Sequence, residues 1–173
     1  LQEEFLTVMK TEVPETLQET KDVFLLQCAF GSRIEDFKSL NMDKIEVNID
    51  GIPYIHYLPQ KTLRNNEHKE EIEIPIMKYA LEIIKKWEFK FPILKYVTGK
   101  SGYNVKIRKL LEYCKIDRDV KIFDKDSASN IYKPLYTMGS SKLCRKTHLD
   151  MLTKVQVNMY ISGHHKEGSN AVK

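Results

Sequence analysis

Five cationic side chains, set far apart along the chain, could act together on one anion. Arg33 follows Gly31-Ser32 and is trailed by Glu35 and Asp36, and Lys61-Thr62 comes directly after a strand pair. Lys142 and Arg145 lie three residues apart, on one face of any helix that holds them. His164 follows Gly163 near the end of the chain. Each sits at the end of an element or just inside one, where side chains from different segments can converge. Cations gathered without an organised set of acids suit a phosphodiester, whose oxygens accept paired guanidinium hydrogen bonds. Each also has a plainer reading. Arg33 could make a surface salt bridge to Glu35 or Asp36, Lys61 competes with Lys44 and Lys69, and Lys142 could be a solvated lysine. Asp36 is either support for Arg33 or a helix-surface acid. Other chemistries find no support. His56, His68, His148, His164 and His165 show no HExxH spacing and the cysteines no CxxC pair, so no metal site is expected. There is no GxxxxGK[ST] loop and no GxGxxG, which leaves nucleotide hydrolysis and dinucleotide binding without a motif.

The elements that would carry these residues can be read from periodicity. Residues 17–30 include Val23-Phe24-Leu25-Leu26-Gln27-Cys28-Ala29-Phe30, apolar on nearly every side as a central helix would be, and Gly31 stands where a helix C-cap glycine belongs. A short helix follows from about Ser32, with Ile34, Phe37 and Leu40 on one side. Ile45, Val47 and Ile49 alternate with polar residues as a strand does, Asp50-Gly51 signals a hairpin turn, and Tyr54–Leu58 is the returning strand. Pro53 and Pro59 bracket that strand and place it at a sheet edge. Residues 71–74 form a third strand, and Pro75 is expected to open a helix with Ile76, Tyr79, Ala80, Ile83 and Trp87 facing the core. Further helices are expected over 104–113, with Val105, Ile107, Leu110 and Leu111 apolar, from Ser140-Ser141 to about Thr153, and over 155–161. Residues 117–138 read as an extended excursion with a strand at 120–123. The expectation is an α+β domain, mainly α-helical, with a small three-stranded antiparallel sheet on one edge and no internal repeat.

Composition and charge narrow the class. With 173 residues, 42% hydrophobic and 30% charged, the chain has enough apolar material for a core, which excludes a disordered segment, and no unbroken apolar run of membrane-spanning length. Cys28, Cys114 and Cys144 are few, odd in number and far apart, as reduced thiols of a cytoplasmic protein would be. Residues 1–82 carry 16 acids and 9 bases, a balance of −7, whereas residues 83–173 carry 8 acids and 19 bases, a balance of +11. Such a split points to an anionic partner, with Lys85, Lys86, Lys106, Arg108 and Lys109 as candidate DNA contacts, although a solvated lysine-rich surface gives the same pattern.

The ordered set resembles the catalytic domain of the tyrosine recombinases, the phage-integrase family. Ala29-Phe30-Gly31-Ser32-Arg33-Ile34-Glu35-Asp36-Phe37-Lys38-Ser39-Leu40 is similar to the first box, in which a small-residue turn precedes an arginine and an acid stands three residues later. Gln60-Lys61-Thr62 is similar to the hairpin that presents the catalytic lysine. Lys142-Leu143-Cys144-Arg145-Lys146-Thr147-His148 resembles the second box, with Lys142 where a histidine is usual. Ile161-Ser162-Gly163-His164-His165 resembles the third box, in which Gly-His precedes the nucleophilic tyrosine. The four boxes occur in the family's order across nearly the whole chain.

The resemblance implies strand cleavage and rejoining on double-stranded DNA through a 3′-phosphotyrosyl intermediate, with no cofactor and no metal. Arg33 and Arg145 would hold the non-bridging oxygens, Lys61 would protonate the leaving 5′-oxygen, His164 would hydrogen-bond the phosphate, and Lys142 would take a supporting role. Asp36 would orient Arg33. No tyrosine follows His164, and the role is not carried to Tyr160. Residues 1–173 are therefore expected to be one catalytic domain of a longer protein. The nucleophile and an N-terminal DNA-clamping domain would lie outside this chain, which would be monomeric, inactive in cleavage and able to bind DNA. The full-length protein would act as a tetramer on paired sites, encoded by a bacterium, phage or mobile element and working in the cytoplasm. Two other functions share these features: a non-catalytic DNA-binding domain, and strand relaxation of the type IB topoisomerase kind.

Overall fold

The apolar run around Val23 becomes the central helix of the domain. In the computed structural model, which describes residues 2–40, 45–59, 71–88 and 99–154, α1 spans Gln2–Lys10 and α2 spans Glu15–Phe30. Every residue from Asp22 to Phe30 is buried, because α2 has neighbours on all sides and no face left for water. Gly31 ends it in the left-handed conformation at φ 60°, its N–H bonded to the Gln27 carbonyl at 2.9 Å. The short α3, Ile34–Lys38, follows, burying Ile34, Asp36 and Phe37.

The strands β1 (Ile45–Val47), β2 (Pro53–Tyr57) and β3 (Ile72–Pro75) form an antiparallel sheet in the order β1-β2-β3. Ile55 pairs with Ile74 and Tyr57 with Ile72, and all four point into the core from one face of the sheet. The bracketing prolines do not make β2 an edge strand; it is the central one. Pro53 stands at the first position of the strand, where its carbonyl accepts from Ile76 N–H at 2.7 Å and no donor is needed, and Pro59 lies beyond the last pair. Likewise Pro75 does not open a helix. It closes β3, opposite Tyr54, and helix α4 begins at Lys78 and runs to Lys86.

Helix α5 spans Gly99–Tyr113, longer than its apolar pattern implied, with Tyr103, Ile107, Leu110 and Leu111 buried and Val105 turned outward. The excursion that follows is a second, two-stranded antiparallel sheet, β4 (Asp119–Asp124) with β5 (Ser129–Pro134), ending in a 3-10 turn over Leu135–Met138. Helix α6, Ser141–Lys154, then packs on α2. The helix expected over 155–161 lies outside the described residues. The result is a mainly helical α+β fold with a small three-stranded antiparallel sheet, and among the described residues no helix is long and apolar enough to cross a membrane.

One buried carboxylate fastens α4 to α2. Asp22 accepts from Gln18 Nε2 at 2.9 Å, from Trp87 Nε1 at 2.9 Å and from Lys86 Nζ at 2.7 Å, with its side chain 5% exposed. Truncation would leave the part-buried Trp87 and Gln18 donors without their acceptor, so Asp22→Ala should cost about 2 kcal/mol in urea unfolding. Lys86→Ala should cost less, because that lysine is half-exposed and water takes over its role.

Candidate active site

The C-terminal end of α2 is where the first and second boxes meet. Arg33 stands in extended conformation just before α3, and its Nη1 lies 3.7 Å from Asp36 Oδ2, an ion pair across one turn. The two halves of that pair are unequally placed: the arginine side chain is 47% exposed and the carboxylate 2%. The buried acid thus faces one terminal nitrogen of a half-exposed guanidinium.

Arg145 arrives from the second turn of α6. Its Nη1 donates to the Gly31 carbonyl at 2.8 Å, an oxygen just past the negative end of the α2 dipole. A second hydrogen bond joins the guanidinium to the Tyr57 hydroxyl on β2. Burial and the like charge of Arg33 lower the pKa of Arg145. The Tyr57 phenol is pushed up to about 12 by its burial and by the nearby Asp36 carboxylate. Arg33, Asp36, Tyr57 and Arg145 therefore share one locality, drawn from α3, β2 and α6, with two cations to one buried anion. Such a site has a residual positive charge. It is suited to a singly charged, multi-oxygen anion such as a phosphodiester.

Lys142 is exposed in the first turn of α6, one turn before Arg145. Lys85 and Lys109 are exposed and Lys106 is half-buried, whereas Arg108 donates from Nε to the Gly139 carbonyl at 3.2 Å and Lys86 is held by Asp22. Two of the five candidate DNA contacts thus brace the fold with part of their donor capacity. Lys61 falls between β2 and β3 in sequence, and it, His164 and His165 lie outside the described residues.

Sequence reading missed three residues at this site. Tyr57 reads from sequence only as part of a strand, although its alternation with Ile55 puts it on the inward face. His148 has no metal-ligand spacing, yet it sits four residues after the buried Cys144 and four before the buried Leu152, on the core face of α6. Asn104 supplies the cap of α6 from a different helix: its Oδ1 accepts from Ser141 N–H at 2.9 Å. Asn104→Ala should lower stability by about 1 kcal/mol, the usual loss for a removed N-cap acceptor, read from the midpoint of thermal or urea unfolding.

Two arginines thus stand together at the end of a buried helix in an α+β domain. The comparisons agree in fold. The chain is similar to the XerH site-specific recombinase bound to palindromic difH substrate in a post-cleavage complex, with a TM-score of 0.60 and 11% identity over 95% of this chain and 44% of that one. A pre-cleavage complex of XerH with difH substrate gives a TM-score of 0.56 and 11% identity over 95% of this chain and 45% of that one. The chain thus spans less than half of the XerH chain. No family model matches it, and no curated protein matches it in sequence. The chain has the tyrosine recombinase fold.

Proposed function

We propose that this chain is the phosphate-activating part of the catalytic domain of a site-specific DNA recombinase of the integrase kind. It would act on double-stranded DNA by tyrosine transesterification, and the nucleophile would come from outside residues 1–173. The observation that carries this reading is the meeting of Arg33 and Arg145, from opposite ends of the sequence, around the buried Asp36 and Tyr57. The likeness to the XerH site-specific recombinase bound to difH substrate supports it.

In this mechanism the tyrosine hydroxyl attacks the scissile phosphorus. The new bond joins phosphorus to the phenolic oxygen, and the bond to the 5′-oxygen breaks. Arg33 and Arg145 hold the two non-bridging oxygens and take up the charge that grows on them in the five-coordinate transition state. Lys61 gives a proton to the departing 5′-oxygen while the phenol loses its own to a neighbouring base or solvent. His164 donates a hydrogen bond to the phosphate, Lys142 adds a further cation beside it, and Asp36 keeps Arg33 in place. The covalent link conserves the energy of the phosphodiester, so rejoining needs no nucleotide. In the full-length protein the work is done by a tetramer on paired sites in the cytoplasm.

The test is covalent capture on nicked suicide duplexes drawn from a randomised pool. The full-length protein should form a 3′-phosphotyrosyl adduct, while residues 1–173 alone should bind duplex DNA and form none. An efficient adduct with the chain alone would overturn the placement of the nucleophile. DNA binding by the full-length protein with no adduct on any selected duplex would favour the non-catalytic DNA-binding reading instead.

A further inference from the structure

Behind Arg145 lies a histidine that the proposed mechanism does not use. His148 is one turn further along α6, buried at 3% exposure, with its Nδ1 3.0 Å from the carbonyl of Cys28. A carbonyl can only accept, so Nδ1 carries the hydrogen and Nε2 is left as the bare nitrogen. Nε2 is buried and has no hydrogen-bond partner. Burial lowers the pKa of the ring, and the nearby Arg145 charge adds to this, so the imidazole is neutral at pH 7. A buried histidine with one nitrogen unused is expensive to keep as mere filling, since an apolar side chain of similar size would avoid that cost.

The ring's other contact gives it a task. A Cβ built on Gly31 would fall 2.2 Å from His148 Cδ2, 2.6 Å from Cγ and 2.8 Å from Nε2. The imidazole edge therefore lies directly against the Gly31 Cα, in the space any other residue's side chain would fill. That same Gly31 turns its carbonyl to Arg145 Nη1 at 2.8 Å. So α6 sends two side chains, one turn apart, to two carbonyls at the end of α2: His148 to Cys28 and Arg145 to Gly31. Gln27 ties the same corner from the other side, its Nε2 lying 3.4 Å from the Ser32 carbonyl and 3.3 Å from that of Ser141.

We propose that His148 is a positioning residue for Arg145: anchored on the Cys28 carbonyl and wedged against Gly31, its ring fixes the direction of the Gly31 carbonyl and so the pose of the guanidinium. This rests on the reading of Arg145 as a phosphate ligand in strand cleavage. His148 would touch no DNA. It would act on the rate of the chemical step and leave affinity alone, because the transition state depends on guanidinium aim more steeply than ground-state binding does.

The experiment is a double-mutant cycle in the full-length protein, with single-turnover cleavage of a captured suicide duplex and duplex affinity measured side by side. His148→Ala should slow cleavage about tenfold with Kd unchanged within twofold, the size expected of a misaimed positioning group. His148→Asn places an amide N–H close to where Nδ1 stood and should recover most of that loss. In an Arg145→Lys background, where the Gly31 carbonyl no longer aims a guanidinium, either His148 change should leave the residual rate within twofold. Equal losses in the two backgrounds, or none in either, would overturn the proposal. Should His148→Ala fail to fold, the cycle is run with His148→Asn, whose smaller loss must still vanish with Arg145→Lys. Full cleavage by Arg145→Ala would instead remove the functional reading beneath it, a result distinct from a silent His148.

Discussion

Arg145→Ala should slow single-turnover strand cleavage by about 10²–10³-fold, the range for removing one preorganised donor from a developing oxyanion. Affinity for duplex DNA should barely change. One phosphate contact among several alters the slope of log K against log salt by about one and leaves most of the counterion release in place. Arg145→Lys should be nearly as slow, although it keeps the charge. An ammonium is a point donor and cannot bond the Gly31 carbonyl, the Tyr57 hydroxyl and a phosphate oxygen from one rigid plane. A rate near that of wild type for either variant would show that the guanidinium is a structural tie between α6 and α2 and nothing more.

Among Gly31, Gly51 and Gly139, Gly31→Ala should cost the most stability. Two costs combine at that position. The backbone is left-handed at φ 60°, which penalises any L side chain by about 1–2 kcal/mol. The new methyl also falls within 2.2 Å of the His148 ring, and overpacking a closed site adds about 1–3 kcal/mol. The sum, about 3 kcal/mol, should lower Tm by about 10 °C in a domain of this size. The double variant Gly31→Ala, His148→Ala separates the two terms. Opening the space should relieve the steric part and leave the backbone part, so the two losses should be strongly non-additive. Additive losses would mean that the ring and the glycine are not in contact.

Much of the architecture was legible because its signals are local. The all-round apolar stretch at Val23–Phe30 and the glycine after it predict a buried helix with a left-handed cap, and that is what forms. Alternation from Ile45 and the Asp50-Gly51 turn mark the first hairpin, and Ser141 begins α6 where the serine pair indicated. Errors came where a residue's meaning depends on its partner strand or helix. Proline at a strand end is harmless in a central strand as long as the neighbour needs no donor there, so Pro53 misled about β2. The β4–β5 hairpin is only half legible, because neither strand holds a fully buried residue and β5 does not alternate. Lys86 looked like a free cation until α4 was packed on α2 and Asp22 came within reach.

The sequence alone determined the order of the cationic boxes, the helices and strands that carry Arg33, Lys142 and Arg145, and the excess of positive charge in the second half. All of these follow from residue types within a few positions of one another. Only the tertiary structure decided that Arg33 and Arg145 share a buried acid and a tyrosine hydroxyl, and that His148 lies against Gly31. The reason is physical. Periodicity tells which way a side chain points from its own element, but the distance between two elements is set by how their surfaces interlock. At the α2–α6 crossing that depends on a single missing Cβ.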